Sequence, residues 1–141
     1  MTNYNKPIPF PDPFTSKPYW DGAKQRKLML PRCTTCSRVH FYPRIICPHC
    51  GRKTIEWIEA SGFGHLYSFA VQHRAAGAWL EEAPFVTAYI DLDEGDRIFT
   101  VLRGVDASQP LEIMKKIGAR CQIEWDEANE NVNMPYWRVV G

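Results

Sequence analysis

CTTCSRVHFYPRIICPHCG, residues 33–51, carries four of the chain's five cysteines as two CxxC pairs with ten residues between them. Each pair places two thiolates close enough to grip one ion. Two such knuckles brought together complete a tetrahedral four-thiolate shell with metal–sulfur distances of about 2.3 Å. The spacing therefore predicts one structural zinc on Cys33, Cys36, Cys47 and Cys50, and a full set of protein ligands leaves no position for a reacting water. Between the knuckles, RVHFYPRII (38–46) is β-rich apart from Pro43, so two short antiparallel strands and a turn are expected there. Gly51 lets the chain turn sharply after the second pair, whereas Ser37 stands at the equivalent place after the first. His49, inside CPHC, reads as an exposed knuckle residue rather than a ligand. Three other uses of the thiols stand beside zinc. Iron suits four thiolates equally well, two disulfides would require an oxidising compartment, and a redox dithiol normally uses one CxxC at a strand-to-helix turn.

The rest of the chain bounds these options. Its 141 residues, 45% hydrophobic and 13% aromatic, suit one folded domain or one domain with a small appendage. No stretch resembles a membrane span. The start, MTNYNKPIPFPDPF, lacks the charged opening, apolar run and small-residue cleavage site of a secretory signal. A reducing, cytoplasmic location is expected on that ground, where clustered cysteines more often serve metals than disulfides. The net charge of +1 hides an asymmetry. Residues 1–60 hold ten Lys or Arg against four Asp or Glu, a balance of +6, while residues 61–141 hold seven against twelve, a balance of −5. A basic N-terminal half could meet phosphates or an acidic partner, and an acidic C-terminal half would repel a polyanion.

Five prolines in the first eighteen residues predict an extended arm, packed on its own domain through Phe10 and Phe14. Ser16 followed by Pro18 opens a short helix, with Trp20 as its main apolar anchor and Ala23 and Lys27 on the same face. Beyond Gly51 the pattern turns to alternation. Tyr67, Phe69 and Val71 share one strand face, and Val86, Ala88, Ile90 and Leu92 share another. DEGD (93–96) reads as a hairpin turn, RIFTVLRG (97–104) as the next strand, and residues 110–118 as a short helix with Leu111, Met114 and Ile117 inward. Cys121, Ile123 and Trp125 mark a further strand, with Cys121 a buried inert thiol, and YWRVV (136–140) ends the series. Several short strands without βαβ alternation give a mainly β fold whose barrel has about five strands. The expected division is an arm and helix over 1–30, a zinc ribbon over 31–58 and a barrel over 59–141.

No catalytic set emerges. His40, His65 and His73 are not paired with a candidate nucleophile, and GxSxG, HExxH and glycine-rich phosphate loops are missing. Glu81 and Glu82 read as solvated loop charges. The loop from His73 to Pro84, which carries Trp79, is long for a barrel connection, and such loops often touch ligands.

The tryptophan-bearing basic helix, LPRCTTCSRVHFYPRIICPHCG, IEWIEASGFGHLYSFAV, APFVTAYIDLDEG and IGARCQIEW occur in an order that resembles a domain-of-unknown-function family. That family joins a rubredoxin-like zinc ribbon to an OB-fold and is associated with acyl-CoA metabolism. The resemblance runs from about Trp20 to Trp137 and carries the metal role onto Cys33, Cys36, Cys47 and Cys50, with no catalytic residue to transfer. It implies an accessory subunit that works beside a thiolase-like enzyme, a hydratase or an aldolase, and that contacts acyl-CoA. Arg32, Arg38, Arg44, Arg52 and Lys53 are candidates for a CoA phosphate or an acidic partner patch. The alternative reading is nucleic-acid binding, since OB barrels and zinc ribbons both hold single strands. The acidic barrel half argues against it. Electron transfer by iron in the four-thiolate site is a third.

Overall fold

The computed structural model describes residues 2–141. After the arm come α1 (Lys17–Lys24), β1 (Met29–Cys33) and β2 (Ile55–Glu59), which pair as an antiparallel hairpin from Met29↔Glu59 to Cys33↔Ile55. Both knuckles lie in the loop that this hairpin closes. β3 (Phe63–Gln72), α2 (Trp79–Glu82), β4 (Phe85–Leu92), β5 (Arg97–Arg103), α3 (Pro110–Met114), β6 (Arg120–Glu127) and β7 (Asn133–Val139) follow. Five of the strands close a barrel in the order β3-β4-β5-β7-β6. β5 and β7 run parallel, and β6 closes back on β3 through Phe63↔Gln122 and Gly64↔Cys121. Closure leaves the barrel no free sheet edge. At Gly64 a Cβ would come within 2.5 Å of the Asp91 carbonyl oxygen, so only glycine allows β3 to approach β4 this closely.

The alternation in β4 is sound: Val86, Ala88, Ile90 and Leu92 are all buried. They meet Leu66, Ile98, Leu102, Cys121 and Trp137, and the same cluster takes in Tyr19, Leu28, Leu30 and Val39. Helix, ribbon and barrel therefore share one apolar core. The DEGD turn joins β4 and β5, with Gly95 at φ +109.

Four expectations fail for physical reasons. In β3 the register slips between Leu66↔Ile90 and Ser68↔Tyr89. This bulge turns Tyr67 outward to 50% exposure while Phe69 and Val71 stay against the core. Near α3, Leu111, Met114 and Ile117 face solvent and Ile113 alone is buried. A helix of five residues has only one inward position. In α1 the anchors are Tyr19 and Ala23, 4% and 0% exposed, rather than the half-buried Trp20. Phe10 and Phe14 do not hold the arm either, at 99% and 87% exposed. The arm is fastened earlier. The Thr2 hydroxyl donates to the Ala128 carbonyl at 2.9 Å, Tyr4 and Tyr136 share a hydroxyl bond of 2.5 Å, and Lys6 meets Glu82 at 2.7 Å.

Candidate metal centre and the surfaces around it

The two strands expected between the knuckles do not form. Within residues 34–54 only Val39 forms a bridge, to Arg32 of β1, and the ribbon's strands are β1, which ends at Cys33, and β2, which follows the second pair. What the loop has instead is internal symmetry. The Cys33 amide donates to the Arg38 carbonyl at 3.0 Å, and the Cys47 amide to that of Arg52 at 2.8 Å. The Ser37 amide donates to the Cys33 carbonyl at 2.8 Å, and that of Gly51 to Cys47 at 2.9 Å. Both turns need a left-handed residue, with Ser37 at φ +63 and Gly51 at φ +76. Ser37 accepts a conformation that costs an L-residue about 1–2 kcal/mol.

The symmetry converges four sulfurs. The Sγ atoms of Cys33, Cys36, Cys47 and Cys50 lie within 4.8 Å of one another. Cys33 and Cys50 are 3.5 Å apart, and Cys36 and Cys47 are 3.7 Å apart. A tetrahedron with metal–sulfur bonds of about 2.3 Å has edges of about 3.8 Å, whereas a disulfide needs about 2.05 Å. The donor set fits one tetrahedral ion, and all four thiols are free. Supporting bonds surround the sulfurs. The Thr54 hydroxyl lies 3.4 Å from Cys33 Sγ and holds that thiol down to about 6, while the His49 amide donates to Cys47 Sγ at 3.4 Å. Such outer bonds orient metal ligands. Thr54, 21 residues from Cys33, left no trace in the sequence pattern. His49 is exposed and belongs to the knuckle surface, as expected.

The other expected site residues scatter. His40 is buried, neither ring nitrogen has a hydrogen-bond partner, and burial lowers its pKa. His65 and His73 are exposed. Cys121 is buried, and burial pushes its thiol up to about 11. Arg32 is taken by Glu56 at 2.5 Å. Arg38, Arg44, Arg52 and Lys53 are exposed and have no ion-pair partner among the described residues. The barrel differs. Arg97, Arg103, Arg120 and Arg138 each meet a carboxylate, on Asp91, Asp126, Asp93 and Glu124 respectively. Arg103 and Arg120 hold Asp126 and Asp93 below the usual carboxylate range.

Comparison with known proteins matches the same two pieces. Residues 20–56 match the family model described as the rubredoxin-like zinc ribbon domain of ChsH2, and residues 57–126 match that of its C-terminal OB-fold domain. Among solved structures, a chain of "Ltp2-ChsH2(DUF35) aldolase" superposes with a TM-score of 0.76 at 32% identity, covering 95% of this chain and 98% of the other. The chain belongs to the DUF35 family. It is 35% identical over 120 residues to a probable enoyl-CoA hydratase alpha subunit of Thermomonospora curvata, covering 85% of this chain and 36% of that one. It is 43% identical over 81 residues to a DUF35 domain-containing scaffold protein of Methanocaldococcus jannaschii, covering 56% and 57%. This DUF35 chain thus spans between about a third and three fifths of those curated relatives. The fold is a zinc ribbon followed by an OB barrel, and the ribbon's four clustered cysteines can bind one metal ion. No helix of the described residues is long and apolar enough to cross a membrane.

Proposed function

We propose that this chain is a non-catalytic accessory subunit of an acyl-CoA-processing enzyme, docking on a thiolase-like, hydratase or aldolase partner. Its ribbon is held by one structural zinc on Cys33, Cys36, Cys47 and Cys50. The observation that carries this reading is the near full-length likeness, on both sides, to the DUF35 chain of an aldolase. Relatives named as a hydratase alpha subunit and as a scaffold protein support the same role. The four-thiolate shell supports a structural ion, because it is filled by protein ligands.

The division proposed is arm and helix over 1–30, ribbon over 31–58 and barrel over 59–141, supported by the β1–β2 hairpin that spans the ribbon. Thiols kept free for a metal suit the reducing cytoplasm, the location proposed. Nucleic-acid binding lacks the basic stripe it would need, since four of the five arginines in the barrel half, Arg97, Arg103, Arg120 and Arg138, are occupied by carboxylates.

Co-expression with the candidate acyl-CoA enzyme, followed by size-exclusion chromatography with light scattering, tests the role. A stable complex with about one zinc per chain by elemental analysis is expected. A protein that stays free of every such enzyme overturns the accessory reading, and a red iron protein overturns the zinc.

A further inference from the structure

We infer that one face of this chain, running from the ribbon loop onto the outer side of β4 and β5, is the surface that docks on the partner protein, and that the partner meets it with apolar surface edged by carboxylates. The inference rests on the accessory reading above and adds where contact is made and by what chemistry.

The ribbon loop leaves its charges unanswered. None of the chain's 16 Asp and Glu residues falls within 33–54, whereas Arg38, Arg44, Arg52 and Lys53 all do. Each of these cations is exposed and lacks an ion-pair partner among the described residues. A divalent ion among four thiolates offsets about half of them, so the loaded loop is still positive. The chain is not short of acid, since Arg97, Arg103, Arg120 and Arg138 of the barrel each have a carboxylate. Directly after Arg44 stand Ile45 and Ile46, 55% and 42% exposed. Adjacent isoleucines that the fold leaves wet gain by burial against another surface. Unpaired cations beside them fit a surface that supplies carboxylates as well as hydrocarbon.

The same exposure continues onto the barrel. Tyr42, three residues before Ile45, lines one cleft with Phe99 of β5, and Phe99 is 60% exposed. Phe99 lies opposite Tyr89 of β4, with ring centroids 5.3 Å apart, and Tyr89 is exposed as well. Tyrosine and phenylalanine with arginine nearby are the side chains in which protein–protein contacts are enriched. A single-stranded nucleic acid would need free cations beside its stacking rings. Here the cation next along that face of β5, Arg97, is held by Asp91 at 2.6 Å. An anionic bilayer would engage the loop's cations and isoleucines but gives no use to rings on a strand face of the barrel. A protein surface covers both ends.

The test compares complexes of the zinc-loaded full chain with the acyl-CoA enzyme that co-purifies with it, by biolayer interferometry at low and high salt. Phe99→Ser, and Ile45→Ser combined with Ile46→Ser, should each weaken the complex about tenfold or more, with zinc content and circular dichroism unchanged. Arg44→Glu combined with Arg52→Glu should slow association about tenfold at low salt, a difference that narrows at high salt because exposed charges act mainly on encounter. Leu111→Ser, on the exposed face near α3, should leave affinity unchanged. A complex that all these variants form normally overturns this face and leaves the accessory reading intact, whereas absence of any complex with the unaltered chain overturns the reading and the face with it. The chain alone is also tested for dimerisation, for binding to phosphatidylserine vesicles and for binding to a single-stranded oligonucleotide. If the substitutions spare the enzyme complex and abolish one of these instead, the face belongs to a second copy, a lipid surface or a nucleic acid, and the inference falls.

Discussion

Ribbon and barrel sit side by side in one chain and hold their shape by different means. Residues 34–54 form no strand of their own. Their order comes from paired backbone bonds at two knuckles and from four sulfurs gathered within 4.8 Å. Four thiolates at that range repel one another unless a cation sits among them, so the ribbon's shape is conditional on an ion. The barrel closes five strands around Leu66, Ile90, Leu102, Cys121 and Trp137. Apolar burial and strand pairing stabilise it. The difference teaches that loss of the metal and loss of the core are separable failures, coupled where Tyr19, Leu28, Leu30 and Val39 enter the common cluster and where the Phe41 amide meets Asp96.

Removing a sulfur should break the comparison most sharply. A structural zinc contributes on the order of 10 kcal/mol to a small ribbon, so Cys33→Ser or Cys50→Ser should release the metal and unfold residues 34–54. Hydrogen exchange should then show fast amides in β1 and β2 and continued protection in β3 to β7. Retained metal with unchanged stability would contradict the four-thiolate site, and simultaneous loss of barrel protection would show one cooperative unit.

The converse substitution lies in the barrel. Trp137 is fully buried, and truncating such a side chain costs about 3–5 kcal/mol. Trp137→Ala should lower the unfolding free energy by that amount, read as a fall in the denaturant midpoint at unchanged m-value, while the folded fraction keeps a full complement of metal by elemental analysis.

A smaller effect is expected at the seam. Asn133 Nδ2 donates to the Ala23 carbonyl at 3.0 Å and to that of Lys24 at 3.2 Å, closing the end of α1 onto β7. Asn133→Ala removes both bonds, leaving the Ala23 carbonyl the Arg26 amide at 2.9 Å, and should destabilise by about 1–3 kcal/mol. Faster exchange confined to α1 would place the loss at the seam, whereas uniform exchange would not.

The least change separates the two knuckles themselves. Ser37→Gly relieves a left-handed serine and should stabilise the ribbon by up to about 1 kcal/mol, read as a small rise in melting temperature. Gly51→Ala should destabilise by a similar amount. Nothing lies within 4 Å of the added Cβ, so the cost is conformational alone. Responses of clearly unequal size, or of the same sign, would mean that the two turns are not equivalent halves of one device.

Reading the chain alone succeeded wherever spacing carries the physics. Two CxxC units ten residues apart specify a four-thiolate cluster, because sulfur chemistry and short-loop geometry are local. Val86, Ala88, Ile90 and Leu92 specify a buried strand face, because alternation is local too. Failures came wherever a neighbour decides. The β3 bulge exposes Tyr67 because β4 sets the register. The face carried by Leu111, Met114 and Ile117 is exposed because one short turn meets the core at Ile113 only. Phe10 and Phe14 are free because Tyr4 and Lys6 find partners on the barrel first. Composition and periodicity thus settled the class of fold and which four cysteines cluster closely enough to hold one metal ion. Which aromatic rings gather into one cleft, and that Thr54 supports Cys33, depended on contacts between residues far apart in the chain, which no local pattern encodes.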